Sequence, residues 1–223
     1  MSQSDSRGFE NSITVDGYIA VGKSTTLEKL RTTTRSWLPP NDLLIFKEDV
    51  SKWEDYHGHN LLKNMYENAP FNKTSWAWRL QLKVIQDILK QDFDIRELLP
   101  AYLCIQERDL ESVKKVFLRT QDHNFEPIDL QLLKDLTNIG LEYNIGFNEK
   151  QRIFLYADST TCFNRLQSRG REAEMGISSH DFSQICSAMD VLRADAHFAL
   201  NTTVLTDFQV ADLLSNQIRV MMR

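Results

Sequence analysis

From Gly17 to Ser24 the chain reads Gly-Tyr-Ile-Ala-Val-Gly-Lys-Ser, with Thr25 next, which is the pattern G-x-x-x-x-G-K-[ST]. The glycines permit a tight turn, so successive backbone N–H groups and a helix N-terminus face one anion, and Lys23 adds a point charge. An apolar run, Ile13-Thr14-Val15, precedes the pattern, and a stretch with helical character, residues 25–33, follows it. Strand, loop and helix in that order are the setting in which the pattern cradles phosphate. The segment therefore predicts a site for ATP or GTP, with Gly17, Gly22, Lys23, Ser24 and Thr25 around the phosphates. The plainer alternative is a Gly-bearing turn capped by Ser24.

Three further groups could act on a phosphate held there. Glu48 follows an apolar run and precedes Trp53; a carboxylate at a strand end can accept the proton of a hydroxyl attacking the γ-phosphate. Glu107-Arg108-Asp109 follows another such run. Glu107 could bind Mg²⁺ together with the Ser24 hydroxyl, and Arg108 could pair with Glu48 or with the reacting oxygens. Arg165, Arg169 and Arg171 surround Gly170, with Glu174 beyond. A spacing of four puts Arg165 and Arg169 on one helical face, where two guanidiniums can converge on an anion. Solvated acids, a salt bridge at a helix start and a basic surface helix are the structural alternatives. His57-Gly58-His59 reads as a polar loop without a third metal ligand.

Five short β-branched or apolar runs must position these groups: 12–15, 43–46, 102–106, 152–156 and 202–205. Helical periodicity occupies the intervals, at 27–38, 60–67, 76–89, 110–117, 130–141, 162–169 and 182–192. Strands alternating with long crossovers predict an α/β fold, a mostly parallel five-stranded sheet with helices on both faces. Ligands then gather at the carboxyl ends of the strands, where Gly17, Glu48 and Glu107 fall.

The chain has 223 residues, 42% of them hydrophobic, enough for one substantial core. We expect a polar tail over residues 1–11, a single domain over 12–223 and a polar connection over 144–150. A net charge of −5 argues against a nucleic-acid polymer as partner. Apolar runs fall short of the roughly 18 residues needed to cross a bilayer. The acidic start resembles neither a signal nor a transit peptide. Cys104, Cys162 and Cys186 are widely spaced, which fits reduced thiols and a cytoplasmic, intracellular setting.

Taken in order, the motifs resemble those of the deoxynucleoside kinase family, from about Ile13 to Leu205. The family's E-P-V-x-x-W is met by Glu48-Asp49-Val50-Ser51-Lys52-Trp53, and its N-L-L-x-x-M-Y by Asn60-Leu61-Leu62-Lys63-Asn64-Met65-Tyr66. Its glutamine-bearing helix is similar to Trp76-Ala77-Trp78-Arg79-Leu80-Gln81, its E-R-S to Glu107-Arg108-Asp109, and its arginine-bearing lid to Arg165, Arg169, Arg171 and Glu174. The resemblance implies a P-loop kinase three-layer sandwich that uses ATP and Mg²⁺ to phosphorylate the 5′-hydroxyl of a deoxynucleoside, and that pairs as a homodimer through helices beside the sheet.

Carried over residue by residue, it implies Glu48 as base, Arg108 as its support, and Tyr66 with Glu174 on the 3′-hydroxyl. Gln81 would read the base edge, Trp53 and Phe117 would wall the base, and the lid arginines would clamp the phosphates. Val84, Ile88 and Val113 would complete an apolar wall that favours a pyrimidine such as thymidine. Helix 76–89 is the expected dimer surface. Three positions depart from the family pattern: Tyr18, a bulky ring expected beside the phosphates; Asp49, an added negative charge there; and Asp109 in place of serine. A nucleoside monophosphate (thymidylate) kinase and a noncatalytic nucleotide-binding assembly subunit are the rival readings.

Overall fold

The β-branched triplet Ile13-Thr14-Val15 forms the centre of β1 (Ser12–Gly17), in which all six residues are buried. Burial on both faces is what a parallel sheet enclosed by helices demands. The computed structural model describes residues 12–67, 70–99, 102–143 and 151–222; the expected tail over 1–11 and the polar connection over 144–150 lie outside the described residues. Four strands join β1: β2 (Leu43–Phe46), β3 (Leu103–Glu107), β4 (Gln151–Tyr156) and β5 (Phe198–Asn201). They form one five-stranded sheet in the order β2-β3-β1-β4-β5, parallel throughout.

Helices fill the crossovers. α1 (Lys23–Thr33) follows the glycine loop. α2 (Ser51–Glu54), α3 (Leu61–Glu67) and the 29-residue α4 (Pro70–Leu98) separate β2 from β3. After β3 come α5 (Leu110–Ser112), a π-helical turn (Val113–Phe117), α6 (Leu118–Thr120) and α7 (Pro127–Tyr143). α8 (Ser159–Arg169) and α9 (Ser179–Ala194) separate β4 from β5, and α10 (Asp207–Met221) follows β5. Side chains cap several starts: Asp158 accepts from the Thr161 N–H at 2.7 Å, Ser178 from Asp181 at 3.1 Å, and Thr206 and Gln209 form a capping box.

The main core joins Ile13, Val15, Ile105, Ile153 and Leu155 of the sheet to Leu27 and Leu30 of α1, Phe182 and Met189 of α9, and Leu214 and Ile218 of α10. A second cluster, with Trp53, Leu80, Ile85, Ile88, Leu110, Val113 and Leu133, lies among α2, α3, α4, α5 and α7.

The structure corrects several expected boundaries. The fifth strand is Phe198–Asn201, not 202–205. Thr202 and Val204 carry the β propensity, yet the ladder with β4 runs from Ile153↔Phe198 to Tyr156↔Asn201. The Asn201 side chain then accepts the Thr203 N–H at 2.9 Å and turns the chain. Being an edge strand, β5 alternates half-buried and exposed residues, and its apolar part is only the triplet Phe198-Ala199-Leu200. The first helix ends at Thr33, ahead of a 3₁₀ turn, Thr34–Ser36. α4 reaches Leu98 because Ile95 and Leu99 pack on Cys104 of β3. The sequence reading missed α10 altogether. It packs against α1: Trp37 Nε1 donates to Ser215 Oγ at 2.9 Å, Thr33 Oγ1 to the Ala211 carbonyl at 3.3 Å, and Lys29 pairs with Asp207 at 2.9 Å.

Candidate active site

β1 ends where the glycine loop begins, and Gly17 holds φ at 151°. A Cβ there would sit 2.2 Å from the Leu155 carbonyl oxygen, so only glycine lets the chain leave the sheet along this path. Ala20 and Gly22 also hold positive φ, 59° and 102°. Gly22 is the N-cap of α1, whose first amides receive no side-chain cap. Lys23 is buried, and its Nζ donates to the Gly17 and Tyr18 carbonyls at 3.2 and 3.1 Å. Burial, with Arg108 nearby, pushes its pKa down from 10.5 to about 8. The Tyr18 ring does not stand beside the phosphate loop as expected. It turns under the sheet, edge-on to Phe154 at 5.6 Å, and its hydroxyl donates to Asp190 at 2.5 Å.

Parallel pairing of Val15 with Glu107 sets the end of β3 beside the loop. Ser24 Oγ donates to both Glu107 carboxylate oxygens, at 3.2 and 3.1 Å, and the Glu48 N–H reaches Glu107 Oε2 at 3.4 Å. Burial raises the Glu107 pKa; Lys23 works against the shift and Glu48 adds to it. Arg108 Nη1 lies 2.8 Å from both oxygens of Glu48, and its guanidinium stacks over the Phe117 ring at 4.8 Å. The Arg108 backbone is left-handed, φ 63°, with its N–H donating to the Val15 carbonyl at 3.2 Å. Burial works against the Arg108 charge, but Glu48, Asp16 and Glu107 outweigh it and its pKa rises.

Neither added aspartate crowds this site. Asp49 is exposed and bonds Ser51 at 2.5 Å and Lys52 at 3.4 Å, outside the cavity. Asp109 points to the opposite side, where it caps α5 through the Ser112 N–H at 3.1 Å and accepts Arg152 Nη2 at 3.0 and 2.8 Å. Arg152 Nη1 reaches Asp16 at 2.5 Å, and Thr14 Oγ1 donates to Asp109 at 3.1 Å. The network lies under the sheet, where Asp16 is fully buried.

One cavity of about 530 Å³ gathers most of the expected residues. Gly22, Lys23, Ser24 and Thr25 of the loop line it, and so do Glu48, Glu107 and Arg108. Trp53, Tyr66, Gln81, Val84 and Phe117 also line it, as do Arg165, Arg169, Arg171 and Glu174. Arg165 donates to the Val21 carbonyl at 3.2 Å, and Glu174 accepts from Arg169 and, at 3.5 Å, from Arg171. Gly170, φ 65°, ends α8 and lets the chain turn between these arginines. Burial and the Glu174 carboxylate push the Tyr66 phenol up to about 12, so it is neutral and able to donate.

Three expected residues do not line the cavity. Gly17 lies beneath the loop, closing it by backbone shape. Ile88 and Val113 belong to the second core cluster, packed with Leu110 and Leu133. Ile88 is one turn beyond Val84 on α4, and α5 and α7 cover it at that level. Residues that the sequence reading missed also line the cavity: Val50, Leu62, Met65, Leu80, Gln121 and Asp207. Leu62 and Met65 lie inside the motif that supplied Tyr66; Gln121 and Asp207 carried no motif.

Ser24, Glu107 and Glu48 supply hard oxygen donors at the phosphate end, and Glu107, its proton affinity raised by burial, gains from a cation nearby. This chemistry fits Mg²⁺ held with help from substrate phosphates. Among the described residues no cluster of three or more His, Cys, Asp or Glu could cage an ion. His57 and His59 sit on an exposed hairpin closed by the Tyr56–His59 bridge.

A parallel sheet of this order, with a glycine-lysine loop after β1 and arginines facing it, defines a P-loop kinase fold. The chain belongs to the deoxynucleoside kinase family, whose model, Deoxynucleoside kinase, matches residues 13–215. It is similar to mitochondrial thymidine kinase 2 of Homo sapiens, 28% identical over 167 residues, covering 74% of this chain and 57% of that protein. Thymidine kinase 2 of Macaca fascicularis is 28% identical over 169 residues, with the same coverage. The chain thus spans little more than half the length of these relatives. Its fold is like that of deoxyadenosine kinase from M. mycoides, solved with dCMP and dCDP, at a TM-score of 0.66 and 18% identity, over 94% of this chain and 99% of that one.

Proposed function

We propose that this chain is an ATP-dependent deoxynucleoside kinase acting on the 5′-hydroxyl of a pyrimidine deoxynucleoside such as thymidine. The observation that carries the reading is one cavity lined at once by Lys23 and the glycine loop, by the bonded Glu48–Arg108 pair, and by Gln81 with Leu80 and Val84. Glu48 accepts the 5′-hydroxyl proton while Arg108 fixes its carboxylate. Lys23, Arg165, Arg169 and Arg171 neutralise charge on the transferring phosphoryl group. Tyr66 and Glu174 hold the 3′-hydroxyl, and Trp53 and Phe117 flank the base. Ser24 and Glu107 would hold Mg²⁺, which would supply Lewis-acid stabilisation of the charge on the phosphates.

The test is a panel of the four natural deoxynucleosides with labelled ATP, run beside thymidylate. The expected result is a monophosphate product from at least one nucleoside. Product from thymidylate alone favours the monophosphate kinase, and ATP binding without any product favours the noncatalytic subunit.

The same reading includes a single domain over 12–223 and an intracellular site of action, which three buried free cysteines support. No helix among the described residues is long and apolar enough to cross a membrane. It also includes a homodimer, through α7 rather than helix 76–89. Residues 76–89 are largely covered by neighbours, whereas Ile128, Leu132, Ile139 and Tyr143 form an exposed apolar stripe on α7, with Phe93 of α4 also exposed. Light scattering should give twice the chain mass for the wild type and a monomer for Ile139→Lys.

A further inference from the structure

Gln121 stands at the turn after α6, its carbonyl accepting the Asn124 N–H at 2.8 Å. The side chain lines the cavity, and its Oε1 accepts Gln81 Nε2 at 3.3 Å. Gln81 is 3% exposed, and its remaining polar atom, Oε1, is buried without a hydrogen-bond partner. Leu80 and Val84, which flank it, offer no polar contact. A buried carbonyl in this state is destabilising until a donor reaches it.

We infer that Gln121 is a specificity-determining residue: paired with Gln81, it lets the site read two opposite hydrogen-bond edges of a base. The inference rests on the nucleoside-kinase reading above. An amide has an acceptor on one arm and a donor on the other. With Gln81 Nε2 turned to Gln121, Oε1 is the arm left for the ligand. If both amides turn over together, Gln121 donates, Gln81 Oε1 accepts from it, and Nε2 faces the ligand. Only a partner carrying both a donor and an acceptor satisfies both states.

The bases present matching alternatives. Thymine offers a donor at N3 beside an acceptor at O4, and cytosine an acceptor at N3 beside a donor at N4. Glutamine at 121 therefore keeps the pocket open to both pyrimidines. A carboxylate at 121 only accepts and an ammonium only donates, so each would lock Gln81 in one orientation.

The experiment measures kcat/KM and, by calorimetry, Kd for thymidine and deoxycytidine in the wild type, Gln121→Glu, Gln121→Lys and Gln121→Leu. Each ratio compares two ligands on one variant, so any loss of folded protein cancels. The expected result is that Glu and Lys move the thymidine to deoxycytidine ratio in opposite directions, each by roughly tenfold, a size typical of leaving a polar group unmatched. Leu should weaken both nucleosides with the ratio within about threefold of wild type. Ratios that stay at the wild-type value in both charged variants, or that move the same way, overturn the inference. A wild type that binds both nucleosides and phosphorylates neither removes the kinase reading alone, because the Kd ratios still decide the role of Gln121. A wild type that binds neither overturns both.

Discussion

Arg108 holds Glu48 through one nitrogen, Nη1, placed 2.8 Å from each carboxylate oxygen, and it does so from a left-handed backbone that few non-glycine residues adopt. The register Val15↔Glu107 and the N–H bond to Val15 force that turn. Strain kept beside a cavity is what a positioned base requires. Glu48→Gln, which keeps shape and removes basicity, should lower kcat by about 10²- to 10⁴-fold. ATP affinity, measured by calorimetry, should stay within about threefold, since the loop amides and Lys23 bind the phosphates.

The Lys23 charge should make ATP binding fall with rising pH. Its pKa in the folded chain is about 8, against 10.5 for a free lysine, so the folded state holds fewer protons between those values. The cost of burying the ammonium is therefore full below pH 8 and is relieved as pH rises toward 10.5. Phosphate affinity runs the other way, because only the ammonium attracts the anion. Kd for ATP should be flat below about pH 7 and weaken by up to about tenfold per unit above pH 8. Lys23→Arg, always charged, should remove that slope.

Gly17→Ala should destabilise the fold. The new Cβ would collide with the Leu155 carbonyl at 2.2 Å, on a backbone that disfavours any side chain. A loss of about 3 kcal/mol or more in urea unfolding is expected, from strain and overpacking together. Gly22→Ala meets no atom within 4 Å and should cost only the positive φ, about 1–2 kcal/mol.

Arg152 is the cation shared by Asp16 and Asp109. Arg152→Met removes that charge from two buried carboxylates and should cost about 3–5 kcal/mol. The triple variant Asp16→Asn, Asp109→Asn, Arg152→Met should recover part of the loss, because it also removes the charges left behind. Chemical denaturation of both variants checks this.

Gly17 to Thr25 could be read directly because the loop's function is done by backbone shape, which fixes residue types at fixed spacing. Glu48 and Arg108 follow apolar runs that form β2 and β3, so they could be placed near strand ends, whereas Tyr66 and Gln81 were reached only through the resemblance of their motifs to the family's. Ile88 and Val113, carried over through the resemblance, belong to the second core cluster and do not line the cavity; the helical spacing that puts Ile88 on the face of Gln81 and Val84 does not say whether a cavity or a neighbouring helix lies against it. Gln121 stayed hidden since its position depends on a turn that follows a π-helical segment, and no sequence period marks either. Tyr18 and Asp109 looked like intrusions on the phosphates. Their side chains leave the backbone on the far side, a direction set by tertiary pairing with Asp190 and Arg152.

The hold of α10 on α1 ties together two helices far apart in the chain. During synthesis the phosphate loop and α1 emerge well before Ser215, Ala211 and Asp207, which arrive only after some 178 further residues. Until then this side of α1 lacks its cover, so a ribosome-tethered chain halted before residue 207 should leave Lys29, Thr33 and Trp37 without these partners and be held by chaperones.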